Sequence, residues 1–349
     1  MCWNTPTFSA VAGMEVERAI STRDWVWWRG LLLIMLKIRC TSNSKGKAKV
    51  AWKNVCRPKD QGGLGLKSLR EWNETLIVKH IWRIIAQNDT LWGKWVNVVK
   101  LKDISFWDVE PKYDDSWGWK HLLNIKDKVK IHINVQSCNG INSYLWVDNA
   151  GNKVQFSSQR VWKDFRTNNN KVAWSHVIWF KQFDPKMAFI LWLAVLKRLN
   201  TQDRIQQWMP NVVLSCVLCN KERDSIDHLF FSCEYSLKVW ERLKSCLIFR
   251  GLPNLLSQAV QVLSQYPHTN NIWCILNRLV LAACVYYIWQ ERNHRVFKDV
   301  KRSANVLSDM IFNYVQMKML TFKVKPSSAV IKAAKMWKLQ LLGSRFVYM

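Results

Sequence analysis

From residue 68 onward the apolar positions fall into helical rows. Trp72, Leu76, Ile77, Ile81 and Ile84, with His80 among them, recur at spacings of three and four and predict one face of a helix opened by Ser68 or Leu69. A second helical unit is predicted over roughly residues 90–99. Others follow at 158–166, at 185–196 behind the capping residue Asp184, and in short form at 201–208. Leu237, Val239, Trp240, Leu243 and Leu247 predict a helix over 235–249. Residues 272–297 read as one long helix, apolar first and charged at its far end. Between residues 131 and 156 the period changes. Residues 140–147, a turn at Asp148 to Gly151 and residues 153–156 form the one element that reads as a β-hairpin.

The fold class expected is therefore mainly α, with helical domains and one short hairpin. Four segments are expected: a divergent stretch 1–47, a helical region 48–130, a third domain 131–250 and a basic helical region 251–349. Residues 1–47 hold an apolar patch at 25–38 and a loop-like run at 41–47. There is no tandem repeat and no low-complexity tract.

Charge changes this picture most. The chain of 349 residues carries 52 Lys and Arg against 25 Asp and Glu, a formal net charge of +27. Such an excess repels itself unless an anionic partner offsets it, and the usual partners are nucleic acid or an anionic membrane surface; the alternative is a solvated basic surface or a drifting sequence. With 49% hydrophobic residues and 22 tryptophans the chain is not expected to be disordered. No membrane span is expected. The patch at 25–38 is interrupted by Arg29 and Lys37, and the apolar run at 279–289 falls short of the roughly 20 residues a bilayer needs. The early Glu15 and Glu17 do not fit a secretory signal. The ten cysteines are then expected as reduced thiols, with Cys274 and Cys284 in the core.

The chemistry concentrates in one cluster. Cys216, Cys219, His228 and Cys233 give the spacing C-x2-C-x8-H-x4-C. Two thiolates from a tight turn, joined by an imidazole and a third thiolate, make a tetrahedron that suits Zn2+. Four protein ligands leave no open coordination position, so the expected zinc knuckle is structural and not catalytic. Lys221 and Arg223 are placed to offset the net negative charge of a loaded site. The competing reading is buried thiols with His228 as a core histidine. Within the zinc reading Cys246 is an alternative ligand, though its place in a helical stretch favours the core. Other signals are weaker. The run Gly62, Gly63, Leu64, Gly65 lacks the ending of a phosphate loop and reads as a turn. Tyr113, Asp114 and Asp115 lack the strand-turn-strand setting of a polymerase metal site. His80, His121, His132 and His176 are scattered and read as structural or solvated.

Taken together, these residues resemble a known family. The strings VAWKNVCRPKDQGGLGL at 50–66, SLREWN at 68–73 and DSWGWKHLL at 115–123 are followed by WSHVIW at 174–179, PKMAFILW at 185–192 and LNTQDR at 199–204. CVLCN at 216–220, DHLFFSC at 227–233 and YIWQERNHRVF at 287–297 complete the set. The chain resembles the C-terminal region of plant non-LTR (LINE-type) retrotransposon reverse transcriptases, including their zinc-binding domain at 131–250. The resemblance implies zinc ligands at Cys216, Cys219, His228 and Cys233, and residence in the nucleus. The polymerase palm would lie before Val50 and is absent, and a family Trp-x-Gly element is matched only by Trp28 and Gly30. The expectation is thus a truncated, non-catalytic module binding RNA or DNA, with no small-molecule substrate. The alternatives are an accessory part of an active RNA-directed DNA polymerase, or an element remnant without function.

Overall fold

The computed structural model describes residues 49–86, 90–102, 104–138, 141–206, 215–248, 251–266 and 269–348. The apolar patch at 25–38, the loop at 41–47 and the Trp28 element lie outside them. The described residues divide into two compact units, one within 52–171 and one within 172–348 together with 49–51.

The first unit holds helices α1 (Trp52–Val55), α2 (Leu69–Ile85), α3 (Leu91–Trp95), α4 (Trp117–Lys130) and α5 (Ser158–Phe165). Strands β1 (Ile133–Cys138), β2 (Ile141–Val147) and β3 (Lys153–Val154) form an antiparallel sheet in that order. Asp148 and Gly151 make the predicted turn between β2 and β3, with Gly151 at φ 83. The longer pairing, β1 with β2, runs from Ile133 opposite Trp146 to Cys138 opposite Ile141. Trp146 is fully buried and donates from Nε1 to Asp164 Oδ2 at 2.7 Å. It packs with Trp82, Phe156 and the ring of His132.

Several expectations shift here. Helix α2 begins where expected, after Ser68, but buries Thr75, Val78, Ile81, Ile84 and Ile85. The row is rotated from the predicted one. Trp72 instead lies half-buried under the Lys67 ammonium, 3.4 Å from its ring centre. The predicted helix over 90–99 is five α-helical residues followed by a π-helical turn, Val96–Leu101. The three-glycine run is a turn, as expected. Gly62 and Gly65 take φ 85 and 75, and a Cβ on Gly63 would stand 2.0 Å from Arg57 O.

The second unit holds α6 (Ser175–Ile178), α7 (Pro185–Val195), α8 (Gln202–Ile205), α9 (Ile226–Leu229), α10 (Glu234–Lys244), α11 (Leu256–Gln265), α12 (Ile272–Lys298), α13 (Ala304–Leu320) and α14 (Ser328–Met336). A second hairpin, β4 (Leu339–Leu342) with β5 (Arg345–Tyr348), closes the chain. Asp184 caps α7 as predicted, accepting from Lys186 N at 3.0 Å. Helix α12 is the core of the unit and packs on α7, α10, α13 and α14. It is long and apolar enough by composition to cross a membrane, yet 83% of its apolar window is buried within the fold.

Both hairpins and all the helices fit the mainly α class. Within the predicted helix over 201–208 the described residues form the four-residue α8, and 207 and 208 lie outside them; within that over 235–249 the helix stops at Lys244, and 249 lies outside the described residues. Leu247 is still buried, from a turn rather than from the helix. Cys284 is buried as expected, whereas Cys274 is half-exposed near the start of α12 beside Thr269 Oγ1. The unit boundary at 171/172 differs from the segment limits expected at 130/131 and 250/251. The first sheet packs with α2 and α5, and α10 packs with α12 and α13 across residue 250.

Candidate metal centre

Residues 215–223 form a tight turn. Ser215 and Arg223 make an antiparallel bridge. Cys216 N donates to Glu222 O, and Asn220 N to Cys216 O, each at 2.6 Å. Asn220 takes φ 56, a left-handed conformation that asparagine tolerates better than most residues. The short helix α9 is opened by Ser225, whose Oγ accepts from His228 N at 3.2 Å. The chain then turns back through Phe231, at φ 79, whose N donates to Ser236 Oγ and whose ring stacks on Trp240 at 4.3 Å. Cys233 is the cap residue of α10 and donates from its N to His228 O at 2.7 Å.

These turns bring the four predicted residues together. Cys216 Sγ lies 3.9 Å from Cys233 Sγ, Cys219 Sγ lies 3.4 Å from His228 Nε2, and all four donor atoms fall within 4.8 Å of one another. A tetrahedron with Zn–S of about 2.3 Å and Zn–N of about 2.0 Å has edges of roughly 3.5–3.8 Å. The donor set and its spacing therefore fit a four-coordinate metal ion. Cys246 stays in the turn after α10 and is not part of the group.

The thiol pair divides one proton unequally. The hydrogen bond from Cys216 pulls Cys233 down to about 5 against the cost of burial, and the amides of Ser236 and Tyr235 at the start of α10 help. Donating that bond, and burial, push Cys216 up. His228 Nδ1 lies 2.9 Å from Glu222 Oε2, close but without hydrogen-bond geometry, which leaves Nε2 turned to the thiols. Lys221 was expected to offset the charge of the site. It also binds Glu234 at 2.8 Å, so part of its charge is already balanced.

The surroundings of the cluster escaped the sequence reading. Arg295 of α12 donates from Nη1 to Val217 O at 3.3 Å and Leu218 O at 3.2 Å, the two carbonyls between the first cysteines. Glu291, fully buried, fixes Arg295 Nε at 2.9 Å and also accepts from Arg302 N and Nη1. One turn away, Arg292 binds the fully buried Asp224 at 2.6 Å, and Asp224 also accepts from Gln202 N. The guanidinium of Arg295 lies 4.5 Å above the Tyr235 ring, whose hydroxyl donates to Arg302 O. Burial pushes that hydroxyl up to about 12, so it remains a donor. The only sequence hint of this clamp was the charge at the end of an otherwise apolar helix.

Asp114, Asp115, His80 and His121 belong to the first unit. Asp115 accepts from Lys100 Nζ and Lys112 N, both at 2.8 Å, which holds its carboxyl below the usual range; Asp114 is exposed. His121 stacks on Trp117 and His80 meets the edge of Trp92.

Residues 156–240 match the family model described as zinc-binding in reverse transcriptase. The chain is therefore similar, over this segment, to the zinc-binding region of reverse transcriptases. It is 29% identical over 125 residues to an Arabidopsis thaliana protein that carries the name ribonuclease H, covering 34% of this chain and 18% of that one. It is 27% identical over 100 residues to an uncharacterized mitochondrial protein of Arabidopsis thaliana, covering 28% and 65%. The matched stretches thus span less than two thirds of either relative. No solved structure matches the chain. The cluster lies wholly inside the zinc-binding match, whereas Glu291, Arg292 and Arg295 lie beyond it.

Proposed function

We propose that this chain is a non-catalytic, zinc-stabilised nucleic-acid-binding module derived from a retrotransposon reverse transcriptase. The observation that carries the reading is the gathering of the Cys216, Cys219, His228 and Cys233 donor atoms within 4.8 Å of one another, inside the matched segment. A thiolate-rich set of four favours Zn2+ and leaves no position for a reacting water. The bound ion would supply folding energy and fix the course of residues 215–233. The cavity beside α9, about 320 Å³, is lined mainly by aliphatic side chains such as Val195, Ile226, Leu256 and Val260. Its charged pair, Lys197 and Asp227, is joined at 2.8 Å, which favours a packing role over a reactive one. The net charge of +27 supports a polyanionic partner.

The test is metal analysis of freshly purified, reduced protein, joined to binding of RNA and DNA across a salt series. One zinc per chain and affinity falling steeply with salt are expected. Absence of zinc, or no binding at low salt, overturns the reading. A second reading, favoured by the family description, is an accessory part of a working RNA-directed DNA polymerase. Primer extension by the purified protein with Mg2+, abolished by Asp114→Asn with Asp115→Asn, would establish it instead.

A further inference from the structure

The basic charge is not spread evenly. From residue 310 to the end the chain has seven basic residues, Lys318, Lys323, Lys325, Lys332, Lys335, Lys338 and Arg345, and no acidic one. The last six are exposed. Among the described residues none of the six enters an ion pair, whereas the neighbouring Arg242 binds Asp309 and Arg302 binds Glu291.

The fold arranges these cations in two rows. Lys323 stands opposite Arg345 in an antiparallel bridge, and Val324 N donates to Ser344 O at 2.9 Å, so residues 323–325 run along the edge of β5. Paired residues share a face and side chains alternate along a strand, which puts Lys323, Lys325 and Arg345 on one face. Like charges directly opposite each other in a sheet are unfavourable, and a bound anion relieves that repulsion. The second row is on α14. Val330, Ala333 and Ala334 turn inward, Lys332 and Lys335 point outward one turn apart, and Lys338 follows the helix end.

At the metal centre the cations are already occupied. Arg292 and Arg295 hold buried carboxylates, and Lys221 and Lys197 bind Glu234 and Asp227. We infer that the C-terminal hairpin and α14, and not the metal-binding turn, form the phosphate-contacting surface for nucleic acid, through Lys323, Lys325, Lys332, Lys335, Lys338 and Arg345. This rests on the nucleic-acid reading above and locates it. An anionic membrane is the less suitable partner, because a membrane-surface helix must insert an apolar face. The inward face of α14, Val330, Ala333 and Ala334, is buried in the fold, which leaves Ile331 as its exposed large apolar side chain.

The experiment uses the full zinc-loaded chain with single-stranded and duplex RNA and DNA of one length. One variant replaces Lys323, Lys325, Lys332, Lys335 and Lys338 by Gln. A charge-matched control replaces Lys53, Lys102, Lys112, Lys128 and Lys130, all exposed in the first unit, by Gln. The first variant should lose at least about tenfold in affinity, with a salt slope shallower by about 0.9 for each duplex phosphate contact removed. The control should lose much less, and changing the same five C-terminal lysines to Arg should retain binding. Equal losses in both Gln variants, with wild-type binding intact, overturn the location and leave the nucleic-acid reading standing. Failure of the wild type to bind any of the four ligands at low salt overturns both. Unchanged nucleic-acid affinity with lost binding to phosphatidylserine vesicles makes this surface a membrane contact and overturns the inference. Zinc content and circular dichroism equal to wild type establish that each variant is folded.

Discussion

The candidate metal-binding turn and the C-terminal region of α14 and its hairpin both have Lys and Arg in or around them, yet they use the charge in opposite ways. Around the turn, positive side chains reach carboxylates or carbonyls: Arg292 to Asp224, Arg295 to Glu291 and to Val217 and Leu218, Lys221 to Glu234. On the hairpin, its approach and α14, Lys323, Lys325, Lys332, Lys335, Lys338 and Arg345 face solvent without such partners among the described residues. Charge that is satisfied internally organises the fold, and charge left unsatisfied is available to a ligand. Net charge alone cannot make that distinction.

The largest effect expected is from removing metal. Structural zinc sites in small peptides bind with apparent free energies of about 10–16 kcal/mol at neutral pH, and that binding energy is also folding energy. A strong chelator, or Cys219→Ser, should abolish hydrogen-exchange protection over residues 215–233 while β4 and β5 remain protected. Loss of protection in both regions together would show that the metal-binding turn and the hairpin are one cooperative unit, and would erase the contrast.

Next comes the buried pair. Asp224→Asn leaves Arg292 uncompensated in the interior, a change that typically costs about 3–5 kcal/mol. Denaturant unfolding should show a loss of that order, with nucleic-acid affinity of the folded protein unchanged. A parallel loss of affinity would mean that the internal pairs also contribute to the binding surface.

A pH experiment probes the thiol pair in metal-stripped, reduced protein. The folded value of Cys233, about 5, lies below the roughly 8.5 of an unperturbed thiol. Its contribution to stability is therefore fully present above about pH 8.5 and is lost as pH falls through about 5. Cys216 has the opposite sign: its raised value stabilises the fold below about pH 8.5, and that part fades as pH rises. Between these limits the pair should hold one proton and show one thiolate by ultraviolet absorbance. Cys216→Ala should move the Cys233 titration upward, and an unchanged titration would refute the shared proton.

The smallest effect expected is from Glu234→Gln. Lys221 and Lys238 together lower the Glu234 carboxyl below its usual value, Lys221 first. Their small stabilisation is present above the ordinary carboxylate value and fades as pH falls through the lowered one. The substitution releases both lysines beside the metal centre. If unpaired charge recruits nucleic acid, affinity should rise slightly; a fall would contradict the comparison.

Much of this was legible in the sequence, for identifiable reasons. The four clustered residues lie within eighteen positions and are reached by local turns, so their spacing predicted their meeting. Asp184 announced α7, and the glycines at 62, 63 and 65 announced a turn, because capping and left-handed backbone are local demands. The Asp224–Arg292 pair was not legible, since its members stand 68 positions apart and each looks like an ordinary surface charge in the sequence. Helix α4 was missed because Trp117, Gly118 and Lys120 interrupt its apolar row, although Trp119, Leu122, Leu123, Ile125 and Val129 are buried. The final hairpin was obscured by lysines that raised the polarity of its approach. In α2, tertiary packing chose a face one step round from the most apolar row.

The reach of Arg295 also has a consequence for synthesis. The four cysteine and histidine side chains emerge from the ribosome close together and can gather an ion early. The side chain that fastens Val217 and Leu218 follows Cys233 by 62 positions, 295 minus 233. At translation speeds of about 5–20 residues per second, that is a delay of roughly 3–12 s. The nascent turn must therefore keep its shape on its own chemistry until α12 arrives to lock it.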